Sequence, residues 1–267
     1  MNNRVKLEDR DQVAYVTMVR GEKYNGLDLD MFVALVETAR KIRKDRSIRA
    51  VILRGEGPAF STGLDVASFF GKPLKAARIF LKYGFKSTNL AQEAAWCWRR
   101  LPVPVIAVTH GRCYGGAFQI ALAADFRFST PDCEFSIMEV KWGLIPDMSG
   151  SITLRELLPI DQAKRLTMTG ELFDGRRAKA LNLVTEVSDD PLAMAEALAA
   201  QIKTRSPDAV AAAKALFQKT WTTSERRALS VESWLQVKMF RSRNQRIALK
   251  AGMARQAPVF EPRRFDG

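Results

Sequence analysis

Phe60-Ser61-Thr62-Gly63-Leu64-Asp65 and Gly111-Arg112-Cys113-Tyr114-Gly115-Gly116-Ala117 are the two stretches that decide the fold of this chain. Each follows a β-branched apolar run: Ala50-Val51-Ile52-Leu53 in the first case, Val103-Pro104-Val105-Ile106-Ala107-Val108 in the second. Each also leads into a helix-like stretch. A strand that turns on glycine into a helix leaves backbone N–H groups at the helix N-terminus, ready for an anion. Two such turns facing one another make a two-donor oxyanion hole, which stabilises charge developing on a carbonyl oxygen. A single strand–glycine–helix junction says little, because such junctions are common in α/β proteins. The pair says more.

Working outward, Val13 to Val19 alternates as a strand, Gly21 to Gly26 is a turn, and Asp28 is placed to cap a helix from Leu29 to about Arg46. Leu29, Phe32, Val33, Val36 and Ala39 share one face of that helix. Residues 66–100 read as helical or irregular. They carry a crowded aromatic set, Phe69, Phe70, Phe80, Tyr83, Phe85, Trp96 and Trp98, which is expected to pack as core or to line an apolar tunnel. A helix from Phe118 to Asp125, short strands at 126–128 and 134–136, a helix near Ser149 and one from the Asp174-Gly175 cap follow. Val184 to Val187 is the last strand. From Pro191 the chain reads as helices only, with breaks at Ser206-Pro207 and around Trp221 to Ser224. The pattern predicts an α/β core over residues 1–195 and an all-helical C-terminal module over 196–267.

Composition narrows the function. With 267 residues and 47% hydrophobic content the chain can bury a full core. The N-terminus lacks the apolar segment of a signal peptide, and no run approaches membrane-spanning length. Cys97, Cys113 and Cys133 have no metal-ligand spacing, and His110 is the only histidine. A structural metal or disulfide framework is therefore not expected, and a reducing cytoplasm fits best. The net charge of +13 calls for an anionic partner or a solvated basic surface. Much of the excess lies in the last third, among Arg226-Arg227, Lys238 to Arg246, Lys250, Arg255 and Arg263-Arg264.

Four segments in consistent order resemble the crotonase, or enoyl-CoA hydratase/isomerase, superfamily. Arg20-Gly21-Glu22-Lys23-Tyr24-Asn25-Gly26-Leu27 resembles its R-P-E-K-x-N-A-L segment, with Gly21 in place of proline. Phe60 to Asp65 resembles F-C-A-G-x-D, and Gly111 to Ala117 resembles G-x-A-x-G-G-G, with Asp125 closing the following helix. Phe135 to Val140 resembles F-x-x-P-E-x and is followed by Gly143-Leu144-Ile145-Pro146. The resemblance implies a spiral of β-turns and helices, assembled as trimers or dimers of trimers. It also implies an acyl-CoA substrate, with coenzyme A part of that substrate and no separate cofactor or metal. By position it assigns the oxyanion donors to the N–H groups of Leu64 and Gly116. Substrate or CoA contacts fall to Lys23, Asn25, Thr62, Gly63, Asp65, Gly115 and Gln119.

The acids bear on the reaction. Family hydratases use two glutamates about twenty residues apart; Glu139 stands at the second position, but the first is Gln119. An amide cannot shuttle a proton at neutral pH, whereas a 1,3-shift of a double bond can return the proton with the group that removed it. Glu139 is thus the expected proton carrier, and isomerisation of an enoyl- or dienoyl-CoA is favoured over 2-enoyl-CoA hydration. Asp147, eight residues further on, resembles an acid of the dienoyl-CoA isomerase branch. It also suits a helix cap before Ser149. His110 is expected to brace its turn. Two other classes remain as alternatives: a non-catalytic acyl-CoA-binding relative, prompted by Gln119, and an RNA-binding protein, prompted by the charge. Nothing in the chain resembles an RRM, a KH loop or a helix-turn-helix, so nucleic acid is not the expected partner.

Overall fold

The computed structural model describes residues 3–69, 73–82 and 87–267. Its first half alternates strands and helices. β1 (Val5–Arg10) and β2 (Val13–Met18) form a hairpin, followed by α1 (Leu29–Lys44) and β3 (Ala50–Gly55). Three helices come next, α2 (Val66–Phe69), α3 (Pro73–Phe80) and α4 (Leu90–Arg99). β4 (Val105–Thr109), β5 (Arg112–Tyr114), α5 (Gly116–Leu122), β6 (Phe126–Ser129) and β7 (Glu134–Ser136) complete the glycine-turn region. α6 (Gly150–Leu157), α7 (Ile160–Thr169), α8 (Gly175–Ala180) and β8 (Glu186–Val187) lead to the final helices. These are α9 (Pro191–Lys203), α10 (Pro207–Thr220), α11 (Glu225–Phe240) and α12 (Arg243–Ala254).

Six strands form one sheet in the order β1-β2-β3-β4-β6-β8, parallel except for the opening hairpin. After β4 and β6 the chain bends and adds a second short strand, β5 and β7, to a smaller parallel sheet. After β3, Ser61 bridges to Cys113 in the same way. Successive turns of the spiral therefore stack their corners, and the glycine turns lie at those corners.

The central strands are buried on both faces, as parallel strands covered by helices must be. Val13, Tyr15, Ala50, Ile52, Ile106 and Val108 meet Ala195 and Ala199 of α9 on one side. Ala14, Val16, Val51, Leu53, Val105 and Ala107 face the larger core, shared with α1, α4 and α5. The division expected at residue 195 thus falls inside a helix that packs on the sheet. Asp28 caps α1 as expected, its Oδ1 accepting from Met31 N at 2.8 Å. The buried stripe of α1 differs from the expected one: Met31, Phe32, Leu35, Val36, Ala39 and Ile42 are buried, while Leu29 and Val33 are partly exposed. This helix packs against both α4 and the β1–β2 hairpin, so it buries a wider arc than one periodic face. Of the aromatic set, Trp98 is fully buried, and Phe69 and Phe80 pack against the core. Phe70, Tyr83 and Phe85 lie outside the described residues. α11 buries Leu235 alone, leaving Leu229, Val237 and Phe240 at least half exposed.

Candidate functional site

The two glycine turns are fastened to one another by their backbones. Ser61 N donates to Arg112 O at 3.0 Å, and Tyr114 N donates to Ser61 O at 3.1 Å. Gly63 has φ +81°, and a Cβ there would lie 2.6 Å from Tyr114 O and 3.4 Å from Gly116 N. Only glycine permits both the backbone angle and the approach. Leu27 N bonds to Gly63 O and Asp65 N to Leu27 O, which fixes the chain on either side of Leu64. Gly115 N is taken by Ser136 O at 2.9 Å. Among the described residues no backbone carbonyl takes the N–H of Leu64 or of Gly116. Gly116 is the first residue of α5, where helix geometry itself leaves the N–H unpaired.

The Arg20–Leu27 segment is the scaffold beneath the first turn. Arg20 Nη1 donates to Gly26 O and to Asp65 Oδ2, both at 2.8 Å. Asn25 is fully buried: its Oδ1 accepts from Arg20 N, and its Nδ2 donates to Glu56 O and Ala59 O. Asn25 and Asp65, expected as ligand contacts, thus spend their side chains on holding the turn. Lys23 is exposed. Thr62 lines the cavity beside Leu64. His110 braces its turn as expected, its ring Nε2–H donating to Gly57 O at 2.9 Å.

Between the turns and the start of α6 lies a cavity of about 280 Å³. Leu64, Gly115 and Gly116 form one wall; Phe32, Phe80, Trp142, Ile145 and Met148 make most of the rest apolar. Two acids, Glu139 and Asp147, open into it. Glu139 sits on a 3-10 turn, Met138–Trp142, close enough to Gly115 that a Cβ on that glycine would stand 3.3 Å from its Oε1. Its Oε1 accepts from Gln119 Nε2 at 2.6 Å. Its Oε2 is buried and has no partner among the described residues. Burial pushes the Glu139 carboxyl above the ordinary glutamate range, and the nearby Asp147 charge adds to this. Hydrogen bonds from its own backbone N–H and from Gln119 oppose the shift. Burial likewise raises the Asp147 carboxyl.

Two sequence expectations change here. Gln119, expected to touch substrate, is 2% exposed and does not line the cavity; it stands behind Glu139, with its Oε1 accepting from Met148 N (2.8 Å) and Gly150 N (2.9 Å). Asp147 does not cap α6: the cap position is Ser149, which has φ +75° and makes no capping bond with its own side chain, and the first N–H of the helix, Gly150 N, goes to Gln119 Oε1. The Met148–Gly150 backbone was missed as part of the site. Gly150 is the residue that could have signalled it, because a Cβ there would lie 2.7 Å from Gln119 Oε1. Among the described residues no three His, Cys, Asp or Glu side chains gather as metal ligands.

Residues 8–263 match the enoyl-CoA hydratase/isomerase family, and the chain belongs to that family and to the crotonase superfamily. The chain is 34% identical over 214 residues to a mitochondrial Δ(3,5)-Δ(2,4)-dienoyl-CoA isomerase of Mus musculus, covering 76% of this chain and 64% of the other. It is 28% identical over 259 residues to enoyl-CoA hydratase EchA19 of Mycobacterium tuberculosis, covering 96% of each. Its fold matches a crystal structure of an enoyl-CoA hydratase from Polaromonas sp. JS666 with TM-score 0.86 and 26% identity, over 96% of this chain and 99% of that one.

Proposed function

We propose that this chain binds acyl-CoA thioesters and shifts a double bond of the acyl group through an enolate, in preference to adding water. The observation that carries this reading is the Glu139 carboxyl, whose Oε2 has no hydrogen-bond partner among the described residues, on a residue that lines the same cavity as Leu64 and Gly116, whose N–H groups no backbone carbonyl takes. The thioester oxygen takes those two N–H groups as an oxyanion hole. Glu139 Oε2 removes the α-proton, and the C–H electron pair delocalises onto the held oxygen. When the enolate collapses, the same carboxyl returns the proton at the γ-carbon, and the double bond has moved by one position. Asp147 is the second acid for a conjugated diene, whose protonation site lies further along the chain. Syn hydration needs a second group to deliver water, and the Gln119 amide lies outside the cavity.

A second reading, 2-enoyl-CoA hydration, draws on the same Asp147, since a carboxyl lining the cavity can activate water there. Incubation with 2-enoyl-, 3-enoyl- and dienoyl-CoA thioesters separates the two. Isomerisation changes the ultraviolet spectrum at constant mass, and hydration adds the mass of one water. Efficient hydration of 2-enoyl-CoA with no double-bond shift overturns the proposal.

The CoA phosphates answer the positive charge, with exposed Lys23 at the first turn. The exposed apolar side chains of α11 support self-association into trimers or dimers of trimers, which sedimentation measures directly. The three free cysteines, all buried, fit a cytoplasmic setting.

A further inference from the structure

We infer that Gln119 is a positioning residue for both acids of the cavity, holding Glu139 through its amide N–H and Asp147 through its amide oxygen. The inference rests on Glu139 and Asp147 being the working acids of the proposed function.

The orientation of the amide is dictated by its surroundings. Two backbone donors, Met148 N and Gly150 N, converge on one end of the side chain at 2.8 and 2.9 Å. Only oxygen can accept both, so the NH2 group must face Glu139 Oε1, 2.6 Å away. An NH2 group donates and cannot accept. It therefore pins Oε1 in its ionised form and leaves Oε2, buried and unpartnered, as the atom free to take a proton.

The other end of the amide shapes the Asp147–Gly150 turn. Ser149 has φ +75°, a conformation that is unfavourable for any residue with a Cβ, and its Oγ is buried without a partner among the described residues. Such a residue persists where its surroundings over-determine it. Here the two bonds to Gln119 clamp the chain on either side of Ser149. The turn closes so tightly on the Gln119 oxygen that a Cβ at Gly150 would stand 2.7 Å from it and force the amide to shift. Asp147 is joined directly to this clamped segment. Of the titratable groups on the glycine turns, α5 and the Asp147–Gly150 turn, Asp147 is the one that acts on Glu139 through space.

Two substitutions take the two ends apart. Gln119→Glu keeps an oxygen for Met148 N and Gly150 N but sets a second carboxyl oxygen against Glu139, so the pair shares a proton. Gln119→Met is similar in length and removes both functions. The Glu and Asp carboxyl carbons of the ligand-free protein are titrated by 13C NMR, with Glu139→Gln and Asp147→Asn as assignment controls. In Gln119→Glu the Glu139 signal should titrate in two steps, the later at least about one pH unit above its original value. Asp147 should titrate almost as before, because the proton-sharing pair carries the same net charge as Gln119 with Glu139. In Gln119→Met both signals should move. An unmoved Glu139 in Gln119→Glu, or an unmoved Asp147 in a folded Gln119→Met, overturns the inference. Because the titration needs no substrate, a protein that turns over no acyl-CoA defeats the functional proposal while leaving this result readable. Where turnover is present, the acid limb of α-proton exchange should move with Glu139 in Gln119→Glu, with KM changed less than about twofold.

Discussion

Lys214 of α10 pairs with Asp125, in the link between α5 and β6, with Nζ 2.7 Å from Asp125 Oδ2. The same ammonium donates to Val103 O at 2.9 Å and Trp98 O at 3.2 Å, while Asp125 Oδ2 also accepts from Val105 N. Burial lowers the proton affinity of the lysine, and the Asp125 charge opposes that shift. Removing one partner strands the other in a desolvated place. Lys214→Met should therefore cost about 3 kcal/mol in denaturant unfolding. A double-mutant cycle with Asp125→Asn should show coupling above about 0.5 kcal/mol; a smaller value means the pair does not join helix and sheet.

Asp208 makes a second junction, between α10 and the C-terminal tail. Its carboxylate accepts from Ser242 Oγ, Asn244 Nδ2, Arg264 N and Phe265 N. Burial alone would raise this carboxyl, but these donors outweigh it and hold the group below the ordinary aspartate range. With the folded value depressed, the stabilisation is present above the unfolded value of about 3.9 and is lost as pH falls through the folded one. Asp208→Asn should destabilise the protein by roughly 2 kcal/mol near neutral pH. The difference from the parent should shrink in unfolding titrations taken below about pH 4.

Glu139→Gln should lower α-proton exchange of a saturated acyl-CoA in D2O by about 10²–10⁴-fold, with affinity for the thioester nearly unchanged. In the parent protein the carboxyl is raised, mainly by burial, and a carboxyl that acts as the proposed base must be ionised. Exchange should therefore rise with pH through a midpoint above the ordinary glutamate value. Activity that survives the substitution assigns the proton to another group.

Asp147→Asn should slow dienoyl-CoA isomerisation at least tenfold more than single-step 3-enoyl-CoA isomerisation. If Asp147 lines the cavity without moving a proton, both rates should fall alike or not at all. Parallel kinetics on the two substrates distinguish the two outcomes.

Gly63→Ala should prise apart the two turns, because its Cβ would meet Tyr114 O at 2.6 Å on a backbone held at φ +81°. Displacing one oxyanion donor typically costs about 10²–10³ in kcat. The loss should appear in kcat rather than in thioester affinity, as measured by steady-state kinetics beside equilibrium binding.

Much of this was legible in the sequence because it is local. The glycine turns, the Asp28 and Asp174 caps and the breaks at Ser206-Pro207 each depend on a few adjacent residues, and each stands where the sequence places it. The chemical identity of Gln119 was equally plain, as was its difference from an acid. Its bonding was not, since its partners lie 20 to 31 residues away and meet it only when α5 packs beside the Asp147–Gly150 turn. Asp147 was ambiguous for a related reason. An acid two residues before Ser149 has a cap-like sequence, and the left-handed backbone of Ser149 separates it from the helix end. The buried arc of α1 was underestimated because periodicity describes one contact face and this helix has two neighbours.

The order of the large sheet sets the timing of assembly. Val13 pairs with Ala50, Val51 with Val105 and Ile106 with Phe126, so no parallel strand can find its partner until the intervening helices have condensed. Loop-closure entropy must be met before those ladders form, which makes folding slow relative to helical proteins. The β1–β2 hairpin is the exception, with Arg10 and Val13 paired across a tight turn. In pulse-labelling hydrogen exchange its amides should gain protection first, and those of β4 and β6 should follow together as the spiral closes.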